Sequence, residues 1–72
     1  MKVISRYRLC DLIGTVYETT LKGETYYEYR IRFHKQIVGR SYSYIKDKQE
    51  CSERMRDEME TLFDSGRLDM IK

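Results

Sequence analysis

Tyr26-Tyr27-Glu28-Tyr29-Arg30-Ile31-Arg32-Phe33, followed after a short polar break by the run from Ile37 to Ile45, is the stretch that decides the fold. Read with a period of two, the first run has two unlike faces. Tyr27, Tyr29, Ile31 and Phe33 form a bulky apolar face, whereas Tyr26, Glu28, Arg30, Arg32 and His34 form a polar and mostly cationic one. This is the pattern of a strand with one side against a core and the other side wet. The second run also alternates. Ile37, Gly39, Ser41, Ser43 and Ile45 are small or aliphatic, and Val38, Arg40, Tyr42 and Tyr44 are larger and partly basic.

Working outward toward the N-terminus, Thr15-Val16-Tyr17-Glu18-Thr19-Thr20-Leu21 is rich in β-branched and aromatic residues and predicts a strand. Lys22-Gly23 then makes a tight hairpin, Gly supplying a positive φ. Before it, Arg6 to Ile13 is β-compatible but alternates poorly, so it reads as a lead-in strand or an irregular arm that Gly14 breaks.

Toward the C-terminus the period changes at Lys46. Asp47-Lys48-Gln49-Glu50 has the spacing of a helix-capping box, an acceptor followed three residues later by Glu. Cys51, Met55, Met59, Leu62 and Phe63 then fall on one helical stripe among charged residues. Ser65-Gly66 predicts the stop. The expected architecture is α+β, a three-stranded antiparallel β-sheet packed against one C-terminal amphipathic α-helix. It forms a single small domain over residues 1–72, with the sheet at about 7–45, the helix at about 47–65 and a short tail at 66–72. The helix has to bury its stripe on one sheet face. Gly39, Ser41 and Ser43 would admit it close to the third strand, leaving Arg30, Arg32, His34, Arg40, Tyr42 and Tyr44 on the other face. A slip of one residue in either strand inverts that allocation.

The 72 residues bury a modest core, and dimerising is one way such a domain gains stability. Cys10 and Cys51 are the only cysteines, and with a single His they build no zinc-ligand pattern. Without a recognisable signal peptide, two reduced thiols in a cytoplasmic protein are expected. No apolar run approaches the roughly 18 to 20 residues of a membrane span. The net charge of +2 is unevenly placed. Residues 1–46 hold nine Lys/Arg against four Asp/Glu, giving +5, and residues 47–72 hold five against eight, giving −3. A basic first part is a hint of an anionic partner, although ordinary solvated surface also explains it.

Catalytic chemistry finds little support. His34 stands alone at a turn, neither cysteine has a base at a recognisable spacing, and the four glycines form no phosphate-cradling loop. A non-enzymatic binding module without cofactor or metal is expected. Arginines pair with phosphates or bidentately with guanine, and tyrosines stack on bases or sugars. The candidate residues are therefore Arg30, Arg32, His34, Arg40, Tyr42 and Tyr44.

On Tyr27-Glu28-Tyr29-Arg30-Ile31-Arg32-Phe33, Val38-Gly39-Arg40-Ser41-Tyr42-Ser43-Tyr44 and the helix opened by Asp47-Lys48-Gln49-Glu50-Cys51, residues 14–64 resemble a known class of DNA-binding domain. It is the three-stranded-sheet-plus-helix domain of the plant Apetala-type transcription factors and of the arm-binding regions of phage and transposon integrases. The resemblance implies double-stranded DNA as partner and Arg30, Arg32 and Arg40 as the reading residues. A protein partner is the alternative. A small Tyr-rich chain without an active site also suits a phage-type inhibitor or adaptor that grips a host or defence protein by the same face or by a strand edge.

Overall fold

A computed structural model describes residues 2–41 and 44–65. Among these, four strands form one antiparallel sheet in the order β1 (Lys2–Leu9), β2 (Leu12–Leu21), β3 (Glu24–Phe33) and β4 (Gln36–Arg40), followed by one helix, α1 (Lys48–Asp64). The α+β class and the antiparallel sheet with a helix are as expected. The strand count is corrected from three to four, because the supposed lead-in is a full strand. The segment Arg6–Ile13 alternates poorly because it straddles a turn. Leu9 pairs with Leu12 across the two-residue loop Cys10-Asp11, so both leucines belong to the same face.

All three connections are two-residue hairpin loops. In each, the first loop residue takes a positive φ: Cys10 at 55°, Lys22 at 51° and His34 at 58°. Lys22 is followed by Gly23 at φ 80°, so both central residues are left-handed, as a type I′ turn requires. Its twist matches that of the long strands β2 and β3.

The core lies between one face of the sheet and α1. Leu12, Val16, Tyr29, Ile31, Phe33, Ile45, Cys51, Met55, Met59 and Leu62 are buried there, with Ile4, Tyr7, Leu9, Tyr27 and Val38 packed around them. The helix stripe is as expected except at its end. Phe63 is 47% exposed, because the step from Leu62 turns it away from the sheet. Asp47 caps the helix by accepting from the Gln49 N–H at 2.9 Å, and Glu50 meets Arg54 at 3.1 Å one turn on. At the far end the Ser65 N–H donates to the Thr61 carbonyl at 3.0 Å. The predicted tail and Gly66 lie outside the described residues.

Gly14 does not break a strand. It lies within β2, buried beneath the helix. Its missing side chain admits Met55 and Met59, whose sulfurs would stand 2.6 and 2.7 Å from a β-carbon there. The close approach expected at Gly39, Ser41 and Ser43 is shared differently. Gly39 faces the Glu58 carboxylate, Ser41 bonds to β3, and Ser43 lies outside the described residues. The Tyr29 hydroxyl donates to Glu58 Oε1 at 3.2 Å and ties β3 to the helix.

Each edge strand carries a bulge. On β1 the register jumps between Val3, opposite Tyr17, and Ser5, opposite Val16. On β4 it jumps between Gly39, opposite Ile31, and Ile37, opposite Arg32. The extra residues, Ile4 and Val38, turn toward the core. Bulges of this kind re-aim side chains and disturb a strand edge. β4, expected as a third strand running from Ile37 to Ile45, is also shorter than expected. It ends at Arg40, and farther on Ile45 bridges to β3, exchanging both backbone hydrogen bonds with Tyr27 at 2.7 and 2.9 Å.

Candidate functional site

Pleating and register decide which side chains share the sheet face away from α1. On β3 that face carries Glu24, Tyr26, Glu28, Arg30 and Arg32, since Tyr27, Tyr29, Ile31 and Phe33 turn to the core. Thr15 and Arg6 lie in line with Arg30 on one side, and Arg40 on the other. In the neighbouring row Arg8, Ile13, Arg32 and Ile37 follow one another across the four strands. Five arginines among the described residues thus occupy two adjacent rows of the ladder. Strands lie about 4.8 Å apart and alternate residues about 7 Å apart, so the patch measures roughly 14 by 7 Å.

The expected residues Arg30, Arg32 and Arg40 are brought together on this face. Arg6 and Arg8 were missed. The signal for them was their spacing of two, hidden because the strand they belong to was read across its turn. Ile37, expected on the small-residue side, lies instead in the Arg32 row at 47% exposure, and Ile13 beside it is 42% exposed. The bulge at Val38 is the reason.

The other expected residues are placed less centrally. His34 stands in the exposed β3–β4 turn, its ring 4.3 Å from that of Phe33, at the end of the sheet rather than on its open face. Tyr44 is half exposed and contacts Tyr26, with ring centroids 5.7 Å apart. Lys46 reaches over Tyr26, with Nζ 5.9 Å from the ring centre. Together with Leu21, Lys22 and Glu24, these two tyrosines line a shallow depression toward the hairpin end of β2 and β3. There the Tyr26 hydroxyl donates to Glu24, a bond that holds its proton and raises its pKa. Tyr42 lies outside the described residues.

Arg30 is held by two neighbours. Its guanidinium lies over Tyr17, 5.1 Å from the ring centre, and Nη2 is 3.6 Å from Glu28 Oε1. A cation fixed between an aromatic face and a carboxylate loses less freedom when it meets a ligand. Behind the sheet, burial pushes the Cys51 thiol up to about 11, with the nearby Glu28 carboxylate adding to the effect. A thiol in that state is not a nucleophile at neutral pH. Cys10 is exposed in the first turn.

Among the described residues no group of three or more His, Cys, Asp or Glu is placed to hold a metal ion, and no helix is long and apolar enough to cross a membrane. No family model matches the chain, and neither a curated protein nor a solved structure matches it.

Proposed function

We propose that the open face of the sheet binds nucleic acid, double-stranded DNA in particular, as a non-catalytic module. The observation that carries this reading is the placement of Arg6, Arg30 and Arg40 in one row and of Arg8 and Arg32 in the next. Like charges directly opposite each other destabilise a sheet, and Arg30 and Arg40 are directly opposite. Rules of this kind are broken where function compensates, and a polyanion is the natural compensation. The patch is about as wide as the major groove, roughly 12 Å. Five phosphate contacts would give a log–log salt slope near −4.5.

The test is a fluorescence-anisotropy titration of random-sequence duplex DNA at low and physiological salt. It compares the wild type with the triple variant Arg30→Ala/Arg32→Ala/Arg40→Ala. Salt-sensitive binding lost in the variant is expected. Absence of binding even at low salt would overturn the reading.

One observation favours a protein partner instead. Val3, Ile13 and Ile37 are 43, 42 and 47% exposed on the same face as the arginines. Aliphatic groups interleaved with arginine suit a protein interface, where Arg is often a hot spot. A second copy of the chain is one such partner. Either would bind with little dependence on salt, which separates the two readings.

A further inference from the structure

Beyond the end of β4 the chain still follows β3 at two points. The Ser41 N–H donates to the Tyr29 carbonyl at 3.0 Å, and Ile45 pairs with Tyr27. Beside Ser41 there is a small polar cavity of about 140 Å³, lined by Glu28, Tyr29, Arg30, Arg40 and Ser41. We infer that this cavity seats one singly charged phosphate group, a phosphodiester of the bound strand, between Arg30 and Arg40. The inference rests on the DNA-binding reading and names the anchoring point within it.

Four features support the assignment. The first is charge: two guanidiniums and one carboxylate leave a net +1, which one phosphodiester neutralises. The second is the Arg30–Arg40 opposition, since an anion between two guanidiniums turns their repulsion into two charge-assisted hydrogen-bonded contacts. The third is order. Arg30 is already held over Tyr17 and beside Glu28, so it meets a ligand with little loss of freedom. The fourth is Ser41, whose Oγ accepts from the Tyr29 N–H at 3.2 Å. A hydroxyl that accepts through its oxygen still has its hydrogen to donate, and Ser41 is among the residues lining the cavity.

Glu28 opposes the anion and so sets its affinity. Its Oε1 is buried and accepts no hydrogen bond, the contact to Arg30 being longer than one. The carboxylate holds Arg30 in place while keeping the empty cavity from carrying two unbalanced positive charges. Converting it to a neutral amide of the same shape should therefore strengthen anion binding. If Glu28 instead accepted a hydrogen bond from the ligand, such as a base amine, the same change would weaken binding. The sign separates the two roles.

The experiment uses the full chain. Random-sequence duplex DNA is titrated over a range of salt with the wild type, Glu28→Gln and Arg40→Gln. Inorganic phosphate is separately titrated while the Ser41 amide and the arginine Nε–H signals are followed by NMR. Expected are a rise in DNA affinity of roughly three- to tenfold for Glu28→Gln, from removal of one nearby like charge, and a salt slope shallower by about 0.9 for Arg40→Gln. Phosphate should shift the Ser41, Arg30 and Arg40 signals. Weaker binding by Glu28→Gln, or an unchanged slope for Arg40→Gln, would overturn the seat while leaving DNA binding by the face intact. Phosphate shifts at these residues in a protein that binds no duplex would support the seat and remove the DNA reading.

Discussion

Gly14 of β2 lies so close under Met55 of α1 that a β-carbon on it would be 2.6 Å from the methionine sulfur. That separation is shorter than any ordinary contact, and Met59 closes the other side at 2.7 Å. The helix can rest on the sheet only because this position has no side chain. Gly14→Ala is therefore expected to destabilise the fold by about 1 to 3 kcal/mol, the usual penalty of overpacking a core. Chemical denaturation with unchanged m-value would measure it. Gly39→Ala is the comparison. Its β-carbon would meet the Glu58 carboxylate, the far end of a flexible side chain that can give way at the cost of its hydrogen bond from Tyr29, so a smaller loss is expected. Equal losses would show that helix and sheet move as one body.

Lys22 occupies the first position of the β2–β3 turn at φ 51°. A left-handed conformation costs a residue other than Gly or Asn about 1 kcal/mol, and Asn-Gly is the preferred pair for this turn. Lys22→Asn is expected to raise stability by about 0.5 to 1 kcal/mol, read as a higher denaturation midpoint. Because Lys22 is at the far end of the hairpin from the arginine rows, its loss should leave the number of phosphates neutralised on those rows unchanged. A lower midpoint would mean that the lysine makes a contact which outweighs its backbone strain.

Much of this architecture was legible because period and chemistry agreed. Tyr29, Ile31 and Phe33 alternate cleanly and are buried, and Cys51, Met55, Met59 and Leu62 repeat at helical spacing and are buried with them. Asp47 caps where its spacing from Glu50 predicts. What was hidden shares a physical cause: the local period fails where the chain turns or bulges. Cys10-Asp11 and His34-Lys35 turn without a glycine, so Leu9 and Leu12 looked like neighbours in one irregular run rather than partners in two strands. The bulge at Val38 shifts the alternation by one residue, which exposed Ile37, and the Cys10-Asp11 turn inside an apparently single run removed Arg6 and Arg8 from view. Arg30 and Arg32 share a face because they lie on β3, whose register with β2 is unbroken, and Arg40 joins them because it stands opposite Arg30 beyond the Val38 bulge. Gly14 was misread because a glycine in a strand looks the same whether it marks a turn or a close approach.

The Tyr29 hydroxyl and the Cys51 thiol give the fold a defined alkaline limit. Burial, together with the Glu58 carboxylate, pushes Tyr29 from an ordinary value of 10.0 up to about 12. Burial raises Cys51 from 9.0 to about 11. Both groups are neutral when protonated, so the folded state holds their protons more tightly than the unfolded chain. Their contribution is fully present below the unfolded values and is lost as pH rises through the folded ones. Stability is expected to be flat near neutrality with respect to these groups. It should then fall between pH 9 and 11 through Cys51 and between pH 10 and 12 through Tyr29, by order of 2 kcal/mol for each. Tyr29→Phe should abolish the upper part of the fall and, near neutral pH, lose about 1 kcal/mol with the hydrogen bond to Glu58. The check is denaturant unfolding at a series of alkaline pH values. Identical pH profiles for wild type and Tyr29→Phe would rule out the tyrosine as a contributor.

Arg6 and Arg8 provide the sharpest test of the open face, because they enter it only through the β1–β2 register. Were the β1 strand an irregular arm, these two side chains would have no fixed relation to Arg30 and Arg32. With the observed pairing they extend the same two rows to the opposite edge of the sheet. The double variant Arg6→Gln/Arg8→Gln keeps the strand exposed and polar, and neither side chain is buried, so stability should change by less than about 0.5 kcal/mol. Duplex binding should nevertheless lose two phosphate contacts, seen as a salt slope shallower by about 1.8. Wild type, with five contacts, is expected to weaken by about 500-fold between 50 and 200 mM salt, and the double variant by only about 40-fold. Anisotropy titrations at four or five salt concentrations would give both slopes. A double variant with the wild-type slope would confine the DNA-binding surface to β3 and β4. A wild type that binds a duplex with little salt dependence would make the exposed Val3, Ile13 and Ile37, rather than the arginines, the centre of the interface.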